Sequence, residues 1–136
     1  MEFDTKIKVV LREGLEAWQE LNVTAFLISG IAGTQDIVGE PYVDRDGVTY
    51  LPMSRQPIMI HSATGEQLRD LLKKALARED MAVTIFTEEL FGTYNDEDNR
   101  ASVAGFGTDE LNLVGIGLRG RKNAVDRLLK GVPLHK

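Results

Sequence analysis

Between Lys6 and Arg12 charged and apolar positions alternate, with Ile7, Val9 and Leu11 on one face, the period-two pattern of a half-buried strand. Gly14 breaks that pattern. From Val23 to Ala32 apolar residues then occur all round the helical wheel, which predicts a helix packed on a sheet and covered outside. Asn22 is placed to cap this helix through its side-chain oxygen, and a start near Ala17 is the alternative. Between Pro41 and Pro52, "YVDRDGVTYL" predicts a short hairpin turning at Asp46-Gly47. Pro57 to Ala63 reads as a buried strand. Thr64, with Gln67 three residues on, carries the capping-box signature of a helix whose stripe is Leu68, Leu71, Leu72, Ala75 and Leu76.

Met81 to Thr87 predicts a further strand, and Asp96 is placed to cap a short helix running toward Ala104. Leu111 to Leu118 predicts the last strand, followed by a helix after Gly120 that stops at Gly131, with Pro133 just beyond. Strands alternating with helices specify one α/β sandwich over residues 1–136, without repeat, low-complexity tract or linker.

Composition narrows the function classes. A chain of 136 residues suits one domain, and 43% hydrophobic with 27% charged residues argues against disorder. Cysteine is absent, which removes disulfides and thiolate chemistry and fits a reducing, cytoplasmic compartment. Residues 1–20 contain Glu2, Asp4, Glu13 and Glu16 and lack an apolar signal core. The longest uncharged window, Leu21 to Gln35, is too short and too polar to span a bilayer, so no membrane partner is expected.

The net charge of −5 opposes non-specific phosphate binding, but its distribution is uneven. Residues 80–110 hold eight acids against Arg100 alone, and residues 119–136 hold six bases against Asp126 alone. The plain reading is two solvated surfaces that aid solubility or meet across a dimer.

Several motifs dissolve on inspection. "GIGLRG" (Gly115, Gly117, Gly120) matches G-x-G-x-x-G between a strand and a helix. Only sixteen residues follow Gly120, however, leaving no second strand to carry a ribose-binding acid. The glycines instead suit close helix packing. "YNDEDNR" and "DRDG" lack the Gly and Glu positions of a calcium loop. His61 and His135 form no zinc-binding pair with H-E-x-x-H spacing, and no serine sits in G-x-S-x-G. No metal or cofactor is expected.

Two clusters remain. At the first strand-to-helix turn, Arg12, Trp18, Gln19 and Asn22 stand where free helix N–H groups favour a polar or anionic ligand; Trp18 reads equally as a large core residue. In the second, Asn95, Asn99 and Arg100 follow a strand, placed to orient a ligand or merely to cap and pair. Ligands of open α/β sheets tend to bind beyond the carboxyl ends of strands, where both clusters fall. Catalytic residues are not identifiable.

Together, "VVLREGLEAWQELNVTAFLISGIA", "GEPYVDRDGVTYLPMSRQP", "ELFGTYNDEDNR" and "LVGIGLRGRKNAVDRLLKGVPLH" resemble the domain of unknown function 2000 family over nearly the full chain. The resemblance implies a peptidyl-tRNA hydrolase type II-like fold, a three-layer α/β/α sandwich on a mixed, mostly parallel sheet of about four to five strands. It also implies a homodimer. Those hydrolases open with a strand leading to an Arg, a Leu and a Gly-Lys pair. Arg12 and Leu15 match the first two, but Leu21-Asn22 stands where Gly-Lys is expected, and Asn cannot act as a cationic stabiliser. Glu88 and Thr93 match a later Asp and Thr loosely.

The leading expectation is therefore a protein binding a small polar or anionic metabolite at the carboxyl end of its sheet. Arg12, Gln19 and Asn22 would form one wall, and Asn95, Asn99 and Arg100 the other. The alternatives are a divergent peptidyl- or aminoacyl-tRNA hydrolase, with tRNA on the basic tail and Glu88 directing water, and a structural dimer or protein-interaction module.

Overall fold

A computed structural model describes residues 2–136. Its strands and helices follow the hydrophobic periodicity. β1 (Thr5–Arg12) leads into α1 (Ala17–Thr34), followed by the hairpin β2 (Tyr42–Val43) and β3 (Thr49–Tyr50). Then come β4 (Ile58–Ala63), α2 (Gly65–Leu76), β5 (Ala82–Thr87), α3 (Asp96–Ala104), β6 (Leu113–Arg121) and α4 (Lys122–Leu128). A 3₁₀ turn, Glu88–Gly92, leaves β5.

The four long strands form one mixed sheet in the order β4-β1-β6-β5. Val9 pairs with Ile60 in the parallel β1–β4 ladder and with Gly117 in the antiparallel β1–β6 ladder, and β5 is antiparallel to β6. Strands β1, β4 and β5 thus share one direction and β6 opposes them. The expected parallel majority exists in strand direction but not in pairing, because β6 is inserted between β1 and β5. All three carboxyl ends still meet at one end of the sheet.

Helices cover both faces. Val10, Ile116 and Leu118 pack with Leu68, Leu71 and Leu72 of α2 and Ala124 and Val125 of α4. Val9 and Leu11 pack with Val23 and Leu27 of α1, while Ile7 meets Ile31. The three layers are therefore α1, the sheet, and α2 with α4.

The glycine pattern serves this packing. A Cβ at Gly115 would stand 2.7 Å from Val23, and one at Gly117 would overlap the Thr84 hydroxyl and approach Ile31 at 3.2 Å. Their absence lets α1 lie close against β6. The Thr84 hydroxyl donates to the Leu27 carbonyl at 3.0 Å, tying α1 to β5 at the same place.

Thr64 and Gln67 form the expected capping box of α2, with reciprocal bonds of 3.1 and 2.9 Å. The hairpin turns at Gly47, whose φ of +85° favours glycine. Asp44 accepts from the Tyr50 hydroxyl and from the Val48 and Asp46 amides, which together hold its carboxyl below the usual carboxylate range.

The free edge of β4 is covered by the C-terminal segment: Ser62 donates to Pro133 O at 3.0 Å, and the His135 amide donates to Ile60 O at 2.8 Å. Pairing a short tail onto an edge strand satisfies groups that would otherwise be open to foreign strands. Both histidines fasten this tail. The His61 ring bonds Val132 O through Nδ1 at 3.0 Å, and the His135 ring pairs with Glu20 of α1. No helix among the described residues is long and apolar enough to cross a membrane.

Candidate functional site

One helix starts at the alternative position read from the sequence, and another is capped one residue earlier than expected. Helix α1 begins at Ala17, capped by Glu16, so Asn22 lies inside the helix rather than at its head. The reason is a capping box: the Glu16 amide donates to Gln19 Oε1 at 3.0 Å, which fixes the helix start six residues upstream of Asn22. In α3 the cap is Asn95, not Asp96; its Oδ1 accepts from the Asp98 amide at 2.8 Å. Asp96 falls in the first turn, where a carboxylate complements the helix dipole.

Moving Asn22 into the helix turns it toward an open cavity of about 420 Å³. Helix α1 contributes Trp18, Asn22 and Phe26, at positions four residues apart that share one face. Phe86 closes the floor from β5. Leu90, Phe91, Thr93 and Tyr94 come from the 3₁₀ turn and the segment after it, and Asn95, Asp96 and Asn99 from the head of α3. The cavity sits at the carboxyl end of β5, beside the head of α1.

Four rings make a continuous apolar surface. Trp18 meets Phe91 edge-on with centroids 5.6 Å apart, Phe91 meets Phe86 at 5.1 Å, and Phe86 meets Phe26 at 5.9 Å. Such geometry fixes ring orientations at about 0.5–1.5 kcal/mol per pair. The outer members nevertheless stay wet, Trp18 at 55% exposed and Phe26 at 54%, and Tyr94, which stacks on none of them, is 96% exposed. Trp18 is therefore not the core residue that was its alternative reading; its indole N–H is tethered to Glu16 at 3.0 Å.

Apart from Asp96, the polar rim is neutral amide and hydroxyl. Asn22 is exposed and its amide bonds no other described residue, leaving both a donor and an acceptor. Asn99 bonds the Thr93 hydroxyl with one end of its amide, leaving the other. Asn95 is fully used as a cap, since its Nδ2 also donates to Asp98 Oδ2 at 3.0 Å.

The structure thus brings Trp18, Asn22, Asn95 and Asn99 around one cavity. Arg12, Gln19, Glu88 and Arg100 lie outside its lining. Arg12 pairs with Glu88 at 3.4 Å, Gln19 serves the α1 cap, and Arg100 pairs with Asp96 one helical turn away. The residues that periodicity did not single out are Phe26, Phe86, Phe91 and Tyr94. The available signal was "ELFGTY", a strand exit with two aromatic residues beside an acidic helix head.

Charge at this end is acidic. Glu89 accepts from the Asn112 amide, which holds its carboxyl below the usual range. Asp96 is the one ionisable carboxylate in the cavity lining, and it is paired. The arrangement can stack a flat group and hydrogen-bond its edge.

Fold and cavity define a three-layer α/β sandwich with an open aromatic and amide recess at the carboxyl end of its sheet. The chain belongs to the family described as a protein of unknown function (DUF2000), whose model matches residues 5–136. It is also similar to the solved structure of a protein of unknown function from Agrobacterium tumefaciens str. C58. Identity is 43%, coverage 99% of this chain and 100% of that one, and the TM-score 0.93. No curated protein matches the chain.

Proposed function

We propose that this protein binds a small, flat, polar molecule in the recess between α1, the 3₁₀ turn and α3. The observation that carries the reading is the Asn22 amide, unbonded and exposed beside exposed Trp18 and Phe26. Amides in that state gain a hydrogen bond on binding, and the rings supply sequestered apolar area. A heteroaromatic ring with an adjacent donor and acceptor fits both features. The acidic first turn of α3 (Asp96, Glu97, Asp98) disfavours the anionic half of the sequence expectation.

A hydrolytic role has less support. Ester hydrolysis needs an aimed base or a group to stabilise developing negative charge. Asn22 occupies the lysine position that the resemblance points to, and the nearby cations Arg12 and Arg100 are paired.

The chain's single tryptophan makes the test direct. Titrating a panel of heteroaromatic amides and nucleobases should change Trp18 fluorescence saturably. In Asn22→Ala the affinity of any hit should fall by about fivefold to tenfold, the size of one hydrogen bond. A hit whose affinity is unchanged in Asn22→Ala removes that amide from the site. No saturable change across the panel contradicts the binding reading.

A further inference from the structure

At the opposite end of the sheet, where β1 begins and β6 ends, lies a second cavity of about 660 Å³. Arg78, Arg121, Lys122 and Arg127 line it, together with Asp4 and Asn123. Three different elements supply these cations: the segment after α2, the end of β6, and α4. The Lys122 amide donates to Asp4 O at 2.9 Å, which fixes the head of α4 against the start of β1.

Of the nearby acids, one is committed to a cation outside the cluster and one neutralises a single member of it. Asp126, the one acid of α4, pairs with Lys6 at 2.6 Å. Asp80 is held by Arg78 through both carboxylate oxygens at 3.2 and 3.3 Å, and with Arg121 nearby its carboxyl lies below the usual range. Arg121, Lys122 and Arg127 form no ion pair among the described residues. Four cations against Asp4 and Asp80 leave an excess of two positive charges, in a chain whose net charge is −5. Guanidinium groups from separate elements around one recess match the bidentate geometry of phosphate oxygens.

We propose that this recess is a second binding site, for the multiply charged phosphate end of a small organic molecule. The shape favours a small molecule over a nucleic-acid strand. The volume lies in the range of small-ligand sites. Its lining holds no aromatic side chain on which bases would stack, and the acidic surface elsewhere repels a long polyanion. The site is independent of the aromatic recess and of the function proposed for it.

Calorimetric titration of the full chain with inorganic tripolyphosphate tests this, with orthophosphate and a single-stranded RNA oligonucleotide as parallel arms. Tripolyphosphate should bind at one site, more tightly than orthophosphate, and weaken several-fold between about 50 and about 200 mM KCl. Arg121→Ala and Arg127→Ala should each weaken it by about tenfold, with unchanged melting temperature since both residues are exposed. Arg69→Ala, which removes an equal charge from the exposed face of α2, should leave it unchanged. Three results overturn the proposal. They are no saturable heat up to about 1 mM tripolyphosphate, equal weakening by Arg69→Ala, and tighter binding of RNA than of tripolyphosphate.

Discussion

The two ends of the sheet differ in how their polar groups are satisfied. At the carboxyl end, ion pairs take up the nearby cations, Arg12 with Glu88 and Arg100 with Asp96, and neutral amides are left open beside exposed rings. At the other end there are no rings in the recess, and three cations lack ion-pair partners among the described residues. An open amide offers direction and little field; an open guanidinium offers field as well as direction. On the two proposals, the first recess would select by shape and hydrogen-bond pattern, and the second by charge. Binding at the first should be nearly indifferent to salt, and binding at the second should not.

The largest effect should come from the layer both ends share. Gly117→Val would drive a side chain into Thr84 and Ile31 and lever α1 off the sheet. A loss of about 3 kcal/mol is expected, at the upper end of overpacking costs, measured by urea denaturation. Because α1 carries Trp18 and Asn22, ligand binding at the aromatic recess should fail in that variant while tripolyphosphate binding persists in whatever fraction stays folded. Loss of both in proportion would mean that the two ends are not separable.

Next in size is Thr64→Ala, which removes the α2 cap and should cost about 1 kcal/mol in thermal or chemical denaturation. Affinity at neither recess should change. A shift in either would show that α2 reports on a site it does not line.

The smallest effect concerns pH. Burial lowers the His61 pKa, so the folded protein resists protonating that ring. Its contribution to stability is present above the ordinary histidine pKa of about 6.5 and is lost as pH falls below it. The Glu20 contact raises the His135 pKa, so that contribution is present below about 6.5 and is lost as pH rises past the raised value. Protection of the tail amides against hydrogen exchange, read relative to the global value, should therefore peak near neutrality. His135→Gln should remove the alkaline decline and leave the acidic one. A decline on the alkaline side that survives this substitution would refute the role given to the Glu20 contact.

Much of the scaffold was legible in the chain. The alternation at Ile7, Val9 and Leu11, the Thr64–Gln67 box and the Asp46-Gly47 turn each carry a local physical cause, and each stands in the structure as expected. The packing role read for the glycines of "GIGLRG" also stands, at Gly115 and Gly117. The insertion of β6 between β1 and β5 was not legible, because strand order depends on pairings far apart in sequence.

The site was half legible. Asn22 and Asn99 attracted attention as amides near strand exits, and the structure places them at one recess. The reasoning for Asn22 as a helix cap failed because Glu16 and Gln19 close the cap earlier, and a Glu cap is a weaker sequence signal than Asn. Arg100 pairs with Asp96 one turn away, as one of its two readings had it, whereas the pairing of Arg12 with Glu88 joins residues far apart in the chain and was not legible. The aromatic floor escaped notice because Phe86 and Phe91 are brought against Phe26 and Trp18 only by the placement of α1 over the sheet, a contact between segments far apart in sequence.

The most direct test of the account is a ¹H–¹⁵N correlation experiment on the labelled protein with the heteroaromatic panel, followed by tripolyphosphate. Saturable shifts of the Trp18 indole N–H and the Asn22 side-chain amide by a ring ligand, with Arg121 and Lys122 unmoved, are the predicted result. Tripolyphosphate should do the reverse. Ring ligands that shift residues scattered over both ends, or leave Trp18 and Asn22 untouched, would contradict the assignment of the aromatic recess as the binding site.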